Sequence, residues 1–261
     1  MKITVLGCGG SMGVPAAGGF WGKCDPAEPK NQRSRASILV QSETTNILVD
    51  ATVDLRTQLN RVELKRVDGL LLTHAHSDHV NGLDDLRAIS YHSNKMIEAF
   101  GDKPTLDEIN HRWPYVFTSK SGGIYVEFMR RNEISYGDSF RVGDIDVTTF
   151  EQDHHTCSTV GYRFGKFAYS VDIADLDERA LTALEGVETW IVDAGSYMKE
   201  AVLTHANIQR VRKWAERLRP KMTYISVLTS HMDYQTLCDE LPAHIRPAYD
   251  GLVIDTETNQ R

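Results

Sequence analysis

His74, His76, Asp78 and His79 fall within six consecutive residues, directly after the apolar run Gly69-Leu70-Leu71-Leu72-Thr73. Side chains two apart on extended chain point to the same side. The imidazoles of His74 and His76 can then reach one cation at about 2.0–2.1 Å. Asp78 and His79 follow where the chain bends, so they can face a second cation beside the first. Two cations about 3.5–4 Å apart share a bridging water and activate it as a nucleophile. Asp78 is therefore counted as a catalytic candidate as well as a ligand. The bland alternative is a polar strand end carrying surface histidines. Three histidines and an aspartate in six residues are rarely an accident of composition.

One hexapeptide cannot close the shell of two cations, so further ligands are expected at other strand ends. His154 or His155 follows the strand expected over residues 145–150. Asp172 follows residues 167–171, and a carboxylate there can bridge two metals. His231 follows residues 223–228. Each taken alone reads more readily as an ordinary polar residue; together, all at strand ends, they favour a site.

These side chains need a frame. Residues 3–6, 37–40 and 47–49 are short and rich in β-branched residues, as strands are. Residues 56–61 suit a helix, 69–73 a buried strand, and 83–91 a helix. Residues 95–100 predict a strand, and 105–113 a helix capped by Thr105. Residues 145–150 alternate as a strand, and 162–164 with 167–171 predict a hairpin. Residues 180–184 suit a helix, 189–192 a strand ending at Asp193, and 208–217 a helix stopped before Pro220. Residues 223–228 predict a further strand. Residues 119–139, punctuated by Gly122-Gly123 and Tyr136-Gly137-Asp138, set no firm boundaries. Two batches of strands, with helices between and after them, predict a layered α/β architecture with two sheets inside and helices outside. No repeat, low-complexity tract or linker divides residues 1–261, which read as a single hydrolase domain.

At 41% hydrophobic and 25% charged residues, the 261-residue chain has the composition of a folded globular protein. Its net charge of −7 disfavours nonspecific binding to long nucleic acid. It leaves room for a small anionic substrate, because bound cations supply positive charge locally. No segment is apolar for long enough to span a bilayer, and the N-terminus reads as a strand rather than a secretory leader. Cys8, Cys24, Cys157 and Cys238 are scattered, as expected of a reduced cytoplasmic protein.

The sequence resembles the metallo-β-lactamase superfamily. Within it, the chain is similar to the phosphodiesterase branch that includes the phosphoribosyl cyclic phosphodiesterase of carbon–phosphorus lyase pathways. The tRNA 3′-processing endonucleases are more distant relatives. The likeness runs over nearly the whole chain. It is carried by residues 6–15, Asn31-Gln32-Arg33-Ser34-Arg35-Ala36-Ser37, residues 73–79 and Gly82-Leu83-Asp84-Asp85-Leu86-Arg87. Later come Gln152-Asp153-His154, Gly161-Tyr162-Arg163-Phe164, Tyr169-Ser170-Val171-Asp172, Thr204-His205-Ala206-Asn207 and Ala248-Tyr249-Asp250-Gly251. The resemblance implies an αββα four-layer sandwich and two divalent cations, zinc or manganese. It implies His74, His76 and His154 at the first metal, Asp78 and His79 at the second, and Asp172 between them. His205 is similar to a family histidine near the scissile phosphate, a candidate general acid. Its bland alternative is a surface histidine at a helix start.

Two departures stand out. The family's last metal ligand falls on Val227 here, and His231 is the available substitute. Many relatives carry several cysteines around Cys24 that bind an accessory zinc; only Cys24 is present, so no structural zinc is expected. Arg33 and Arg35 are candidates for neutralising substrate phosphate, with a solvated basic loop as the alternative. The expected function is hydrolysis of a small phosphodiester, cyclic, nucleotide-like or ribosyl, with a homodimer left open. Thioester or lactone hydrolysis on the same scaffold is one rival. A metal-impaired nucleotide-binding protein is the other.

Overall fold

A computed structural model describes residues 1–119, 126–197 and 203–256; Gly122-Gly123 lies outside them. The chain opens with an antiparallel meander of β1 (Lys2–Gly7), β2 (Ser37–Gln41) and β3 (Asn46–Val49). It continues the sheet with parallel β4 (Gly69–Leu71), β5 (Ile97–Gly101) and β6 (Met129–Glu133). Helices α1 (Leu55–Arg61), α2 (Ser77–Val80), α3 (Leu86–Ser93) and α4 (Lys103–Arg112) lie in the crossovers.

The second sheet repeats the scheme. Antiparallel β7 (Ser139–Val142), β8 (Ile145–Asp153), β9 (Ser158–Phe164) and β10 (Phe167–Ser170) come first. Parallel β11 (Thr189–Asp193), β12 (Met222–Ser226) and β13 (Ile245–Pro247) follow. Their crossovers hold α5 (Glu178–Ala183), α6 (Ile208–Leu218) and α7 (Tyr234–Glu240). Finally β14 (Val253–Asp255) returns to pair antiparallel with β1, giving the orders β14-β1-β2-β3-β4-β5-β6 and β13-β12-β11-β10-β9-β8-β7.

The side-chain alternation of the strands builds the layers. Ile38 and Val40 of β2 join Ile47 and Val49 of β3 against Val160, Tyr162, Phe167 and Tyr169 of the other sheet, forming the inner core. Leu39 and Leu48 point the other way and pack with Leu55 and Leu59 of α1, Leu86 of α3 and Ile109 of α4. On the far side, Trp190, Val192 and Ile225 pack with Leu181 of α5, Val211 and Trp214 of α6 and Leu237 of α7. The result is the expected αββα sandwich. Each buried Leu or Ile side chain contributes about 1.5–3 kcal/mol to holding it together.

Several expectations change in detail. The cap of α4 is Asp102, whose carboxylate accepts from Thr105 N at 3.1 Å, so Thr105 lies inside the helix. Residues 83–91 split into a 3-10 turn, Leu83–Asp85, and α3. β12 stops at Ser226 because Val227 takes a φ of 61°, which extended chain cannot continue through. Strands β6, β7, β13 and β14 and helix α7 carry too little alternation or length to stand out in sequence. Among the described residues no helix is long and apolar enough to cross a membrane.

Candidate metal centre

The functional candidates gather where strands end. β3 leads into Asp50, β4 into Thr73 and His74, β8 into His154, β10 into Asp172, and β11 ends on Asp193. In open α/β sheets the carboxyl ends of the strands are where ligands bind. His74 and His76 lie on extended chain after β4, and α2 begins directly after His76, turning Asp78 and His79 back toward them. Gly82, just beyond α2, is required there: a Cβ would sit 1.8 Å from Thr52 O.

Two groups of donor atoms result. His74, His76, His154 and Asp172 converge in the first, and Asp78, His79 and Asp172 in the second. His74 Nε2 lies 2.8 Å from His76 Nδ1. Asp172 Oδ2 lies 3.7 Å from His74 Nε2 and 3.4 Å from His154 Nε2. The other oxygen, Oδ1, lies 3.4 Å from His79 Nε2, which is 3.5 Å from Asp78 Oδ2. Ligand atoms of a tetrahedral cation at about 2.0–2.1 Å sit about 3.3 Å apart; the separations from Asp172 and between Asp78 and His79 are near that value, and the His74–His76 pair is closer. The two oxygens of one buried carboxylate thus serve different groups. Oδ1 has no hydrogen-bond partner of its own, a costly state for a buried carboxylate unless a cation meets it.

The histidine partners fix which nitrogen is free. His154 Nδ1 is 2.7 Å from Thr204 O, a group that can only accept, so the proton sits on Nδ1 and Nε2 keeps its lone pair. His79 Nδ1 donates to Asp50 Oδ2 at 2.7 Å with the same consequence. Asp50 is fully buried and also accepts from Thr73 N and Thr73 Oγ1, each at 2.8 Å. Burial pushes the Asp50 pKa up, opposed by the His79 ring. Burial lowers the pKa of His74 well below the usual histidine range. It works the same way on His79, but Asp172 and Asp50 outweigh it and lift that pKa. Their charge favours a cation at His79 Nε2, whether proton or metal ion.

A third group, Asp172, Asp193 and His205, shares Asp172 with both. His205 Nδ1 lies 2.7 Å from Asp193 Oδ2, and Asp193 is fully buried. Asp193 also accepts from Ile173 N at 2.9 Å and Gly195 N at 2.6 Å, so it is held rigidly. Burial opposes charge on the His205 ring, yet Asp193 lifts its pKa to about 9. The His205 and His154 rings are 5.1 Å apart. Gly195 makes room: a Cβ there would lie 3.1 Å from the His205 ring.

Beside His74 and His76 opens a cleft of about 510 Å³, lined also by Asp102, Glu108, Arg112, Tyr136, Cys157 and Ser158. Tyr136 donates to Asp102 at 3.0 Å, and Arg112 Nε to Glu108 at 2.7 Å.

Three sequence candidates are not brought to this centre. His231 is exposed on a turn after β12, where burial of Leu228 and Met232 rotates it outward; no converging donor group among the described residues contains it. Arg33 is 2% exposed and spent on structure, donating to Thr229 O at 3.2 Å and Asn31 Oδ1 at 3.0 Å. Arg35 is held by Ser11 O and by Asp54, at 3.0 and 3.1 Å. His155, the alternative to His154, is exposed at a φ of 63°. Sequence reasoning missed Asp50 altogether and saw Asp193 only as a strand end. The signal for both was an aspartate directly after an apolar strand, the same signal that marked Asp172.

Residues 45–226 match the sequence profile of the Beta-lactamase superfamily domain. The octanoyltransferase of Porphyromonas gingivalis is 29% identical over 254 residues, 97% of this chain and 51% of that protein. The ribonuclease Z of Methanopyrus kandleri is 29% identical over 145 residues, 52% of this chain and 46% of that protein. The chain thus spans about half the length of these curated relatives. A solved structure described as a new diphosphatase from the PhnP family superposes with a TM-score of 0.86 at 28% identity, covering 97% of this chain and 96% of that one. The short form of human tRNase Z shares the fold, with a TM-score of 0.70 at 18% identity over 98% of this chain and 99% of that one.

Proposed function

Because the chain belongs to the beta-lactamase superfamily, we propose that it is a metal-dependent hydrolase that cleaves a small phosphodiester. The observation that carries this reading is the division of the Asp172 carboxylate between two sets of donors. The likeness to a PhnP-family diphosphatase and to ribonuclease Z supports a phosphorus-centred substrate. The reading treats residues 1–261 as one hydrolase domain.

His74, His76, His154 and Asp172 would hold one cation, and Asp78, His79 and Asp172 the other. Imidazole and carboxylate donors suit zinc or manganese. Such a pair supplies charge stabilisation at the phosphoryl oxygens and lowers the pKa of water. The chain's own residues supply the rest. Thr204 O and Asp50 hold the His154 and His79 rings with their free nitrogens inward. Asp193 orients His205 so that its Nε2 proton can pass to the departing oxygen. The cleft beside His76 takes the organic group of the ester. Its 510 Å³ lies in the usual range for small-molecule pockets. Its carboxylates, hydroxyls and single arginine suit a nucleoside or ribosyl group. The net charge of −7 argues against long nucleic acid as the substrate.

A second reading, hydrolysis of an acyl thioester or lactone, draws on the likeness to an octanoyltransferase. The charged Asp102, Glu108 and Arg112 in the cleft weigh against an acyl chain there. Purified protein assayed with a chromogenic phosphodiester and a thioester, with and without chelator, tests the choice. Chelator-sensitive turnover of the phosphodiester supports the first reading. Turnover of the thioester alone would replace it with the second.

A further inference from the structure

The two donor groups are unequal, and the inequality follows from the strand ends. The first offers four ligand atoms, from His74, His76, His154 and Asp172. The second offers three, from Asp78, His79 and Asp172, and must share Asp172 with the first. The histidine tethers do not redress this. His154 is pinned through Thr204 O and His79 through Asp50, one partner for each group. Nor does the third group, Asp172, Asp193 and His205, enlarge the second, because it contains neither Asp78 nor His79 and also draws on Asp172.

The exit of β12 adds no donor to the second group. β12 runs parallel beside β11, and the chain leaves it through Val227. Val227 is buried and holds a φ of 61°, as Asp50 and Asp172 do at 63° and 52° where the chain leaves β3 and β10. A β-branched residue is a true outlier in that conformation. Val227 thus shares its backbone conformation with those two aspartates, but its isopropyl group packs in the inner core and can bind no cation. His231, four residues on, is exposed and outside both groups.

We propose that the metal centre is asymmetric: a four-donor site formed by His74, His76, His154 and Asp172 holds its cation tightly, and a three-donor site formed by Asp78, His79 and Asp172 holds the second weakly. The inference rests on the two-cation reading above. A closed set of four protein ligands is the form of tightly held zinc, whereas three ligands leave an open position. Loss of a mere hydrogen-bond partner of a ligand costs about 10–100-fold in metal affinity. A whole missing ligand should separate the two sites by at least about tenfold. The second cation then exchanges with the medium, and its open position faces whatever oxygen completes the shell.

The test is metal counting on the full-length chain. After dialysis against metal-free buffer, elemental analysis should find close to one zinc per chain, rising to two as free zinc is raised. Titration of the chelator-stripped chain with zinc, followed against a chromophoric competitor, should show two steps separated by at least about tenfold. Asp78→Ala should remove the weaker step and leave the tighter one, with circular dichroism confirming the fold. His154→Ala should weaken the tighter step. Two equivalents retained through dialysis, a single step of two equivalents, or loss of the tighter step in Asp78→Ala would each overturn the asymmetry. Those outcomes would leave the hydrolase reading standing. Absence of phosphodiester turnover with both cations bound would sink that reading and leave the asymmetry intact.

Discussion

Replacing Asp50 with asparagine should disable His79 without touching any proposed ligand. Asp50 Oδ1 accepts from Thr73 N at 2.8 Å, and Oδ2 accepts from Thr73 Oγ1 at 2.8 Å and His79 Nδ1 at 2.7 Å. Asparagine has the same shape but only one acceptor oxygen. The Thr73 amide proton cannot move, so that oxygen stays with it, and the new NH₂ group faces His79 Nδ1. Two donors cannot face each other, so His79 takes the other tautomer and places its proton on Nε2. That nitrogen, 3.4 Å from Asp172 Oδ1, then has no lone pair to give a cation. The cost should be at least the 10–100-fold seen when such partners are lost, or about 1.4–2.7 kcal/mol at the second site. Asn tolerates positive φ well, so the backbone at 63° should persist. The stability penalty should stay within about 1–3 kcal/mol for the disturbed buried bonds. Zinc titration, turnover of a chromogenic phosphodiester and urea denaturation on the same preparation separate these effects. A folded Asp50→Asn protein that binds metal and turns over like the parent would refute the tautomer argument.

His205→Asn and Asp193→Asn should each slow hydrolysis of an alkyl phosphodiester by about 10²–10⁴-fold. Both should leave metal content unchanged and largely spare a p-nitrophenyl ester, whose leaving group needs no proton; equal losses on the two esters would remove His205 as acid. Cys157, exposed in the cleft, should be slow to alkylate at neutral pH because burial of its thiol pushes the pKa up. Once alkylated it should raise KM for a nucleoside diester, and Cys157→Ser should abolish that sensitivity. Asp233 caps α7 through Thr236 N and accepts from Asn31 Nδ2 at 2.7 Å. Asp233→Ala should therefore lower stability by about 1–2 kcal/mol in a denaturant melt. Although burial opposes it, the hydrogen bonds that Asp233 accepts hold its pKa down to about 2. Its contribution should be present above the ordinary aspartate range and vanish as pH falls toward 2, a trend absent in the alanine variant.

How much of this was legible in the sequence depended on whether the determinant was local. The spacing of His74, His76, Asp78 and His79 is local, and the turn into α2 delivers it as the pattern implied. The strands of the inner core were legible because β-branched residues recur in short runs. Strand β6, Met129-Arg130-Arg131-Asn132-Glu133, was not, because a polar edge strand owes its existence to pairing with β5 rather than to its own composition. The fate of Arg33 was equally hidden. Only the fold shows that Arg33 is buried, with its two terminal nitrogens bonded to Thr229 O and Asn31 Oδ1. The placement of His231, exposed and outside the donor groups, was hidden for the same reason: past a strand end, its direction is decided by which neighbours bury. Asp50 and Asp193 look ordinary in sequence, since an aspartate after a strand gains a role only through the histidine that packs against it from elsewhere in the chain.

The most direct test of the whole account is a crystal of the zinc-loaded chain, diffracted on both sides of the zinc absorption edge. Two anomalous peaks flanking the Asp172 carboxylate, one among His74, His76 and His154 and the other beside Asp78 and His79, are the expected result. No peak at Asp172, or a single peak bound by residues outside these two groups, would contradict it.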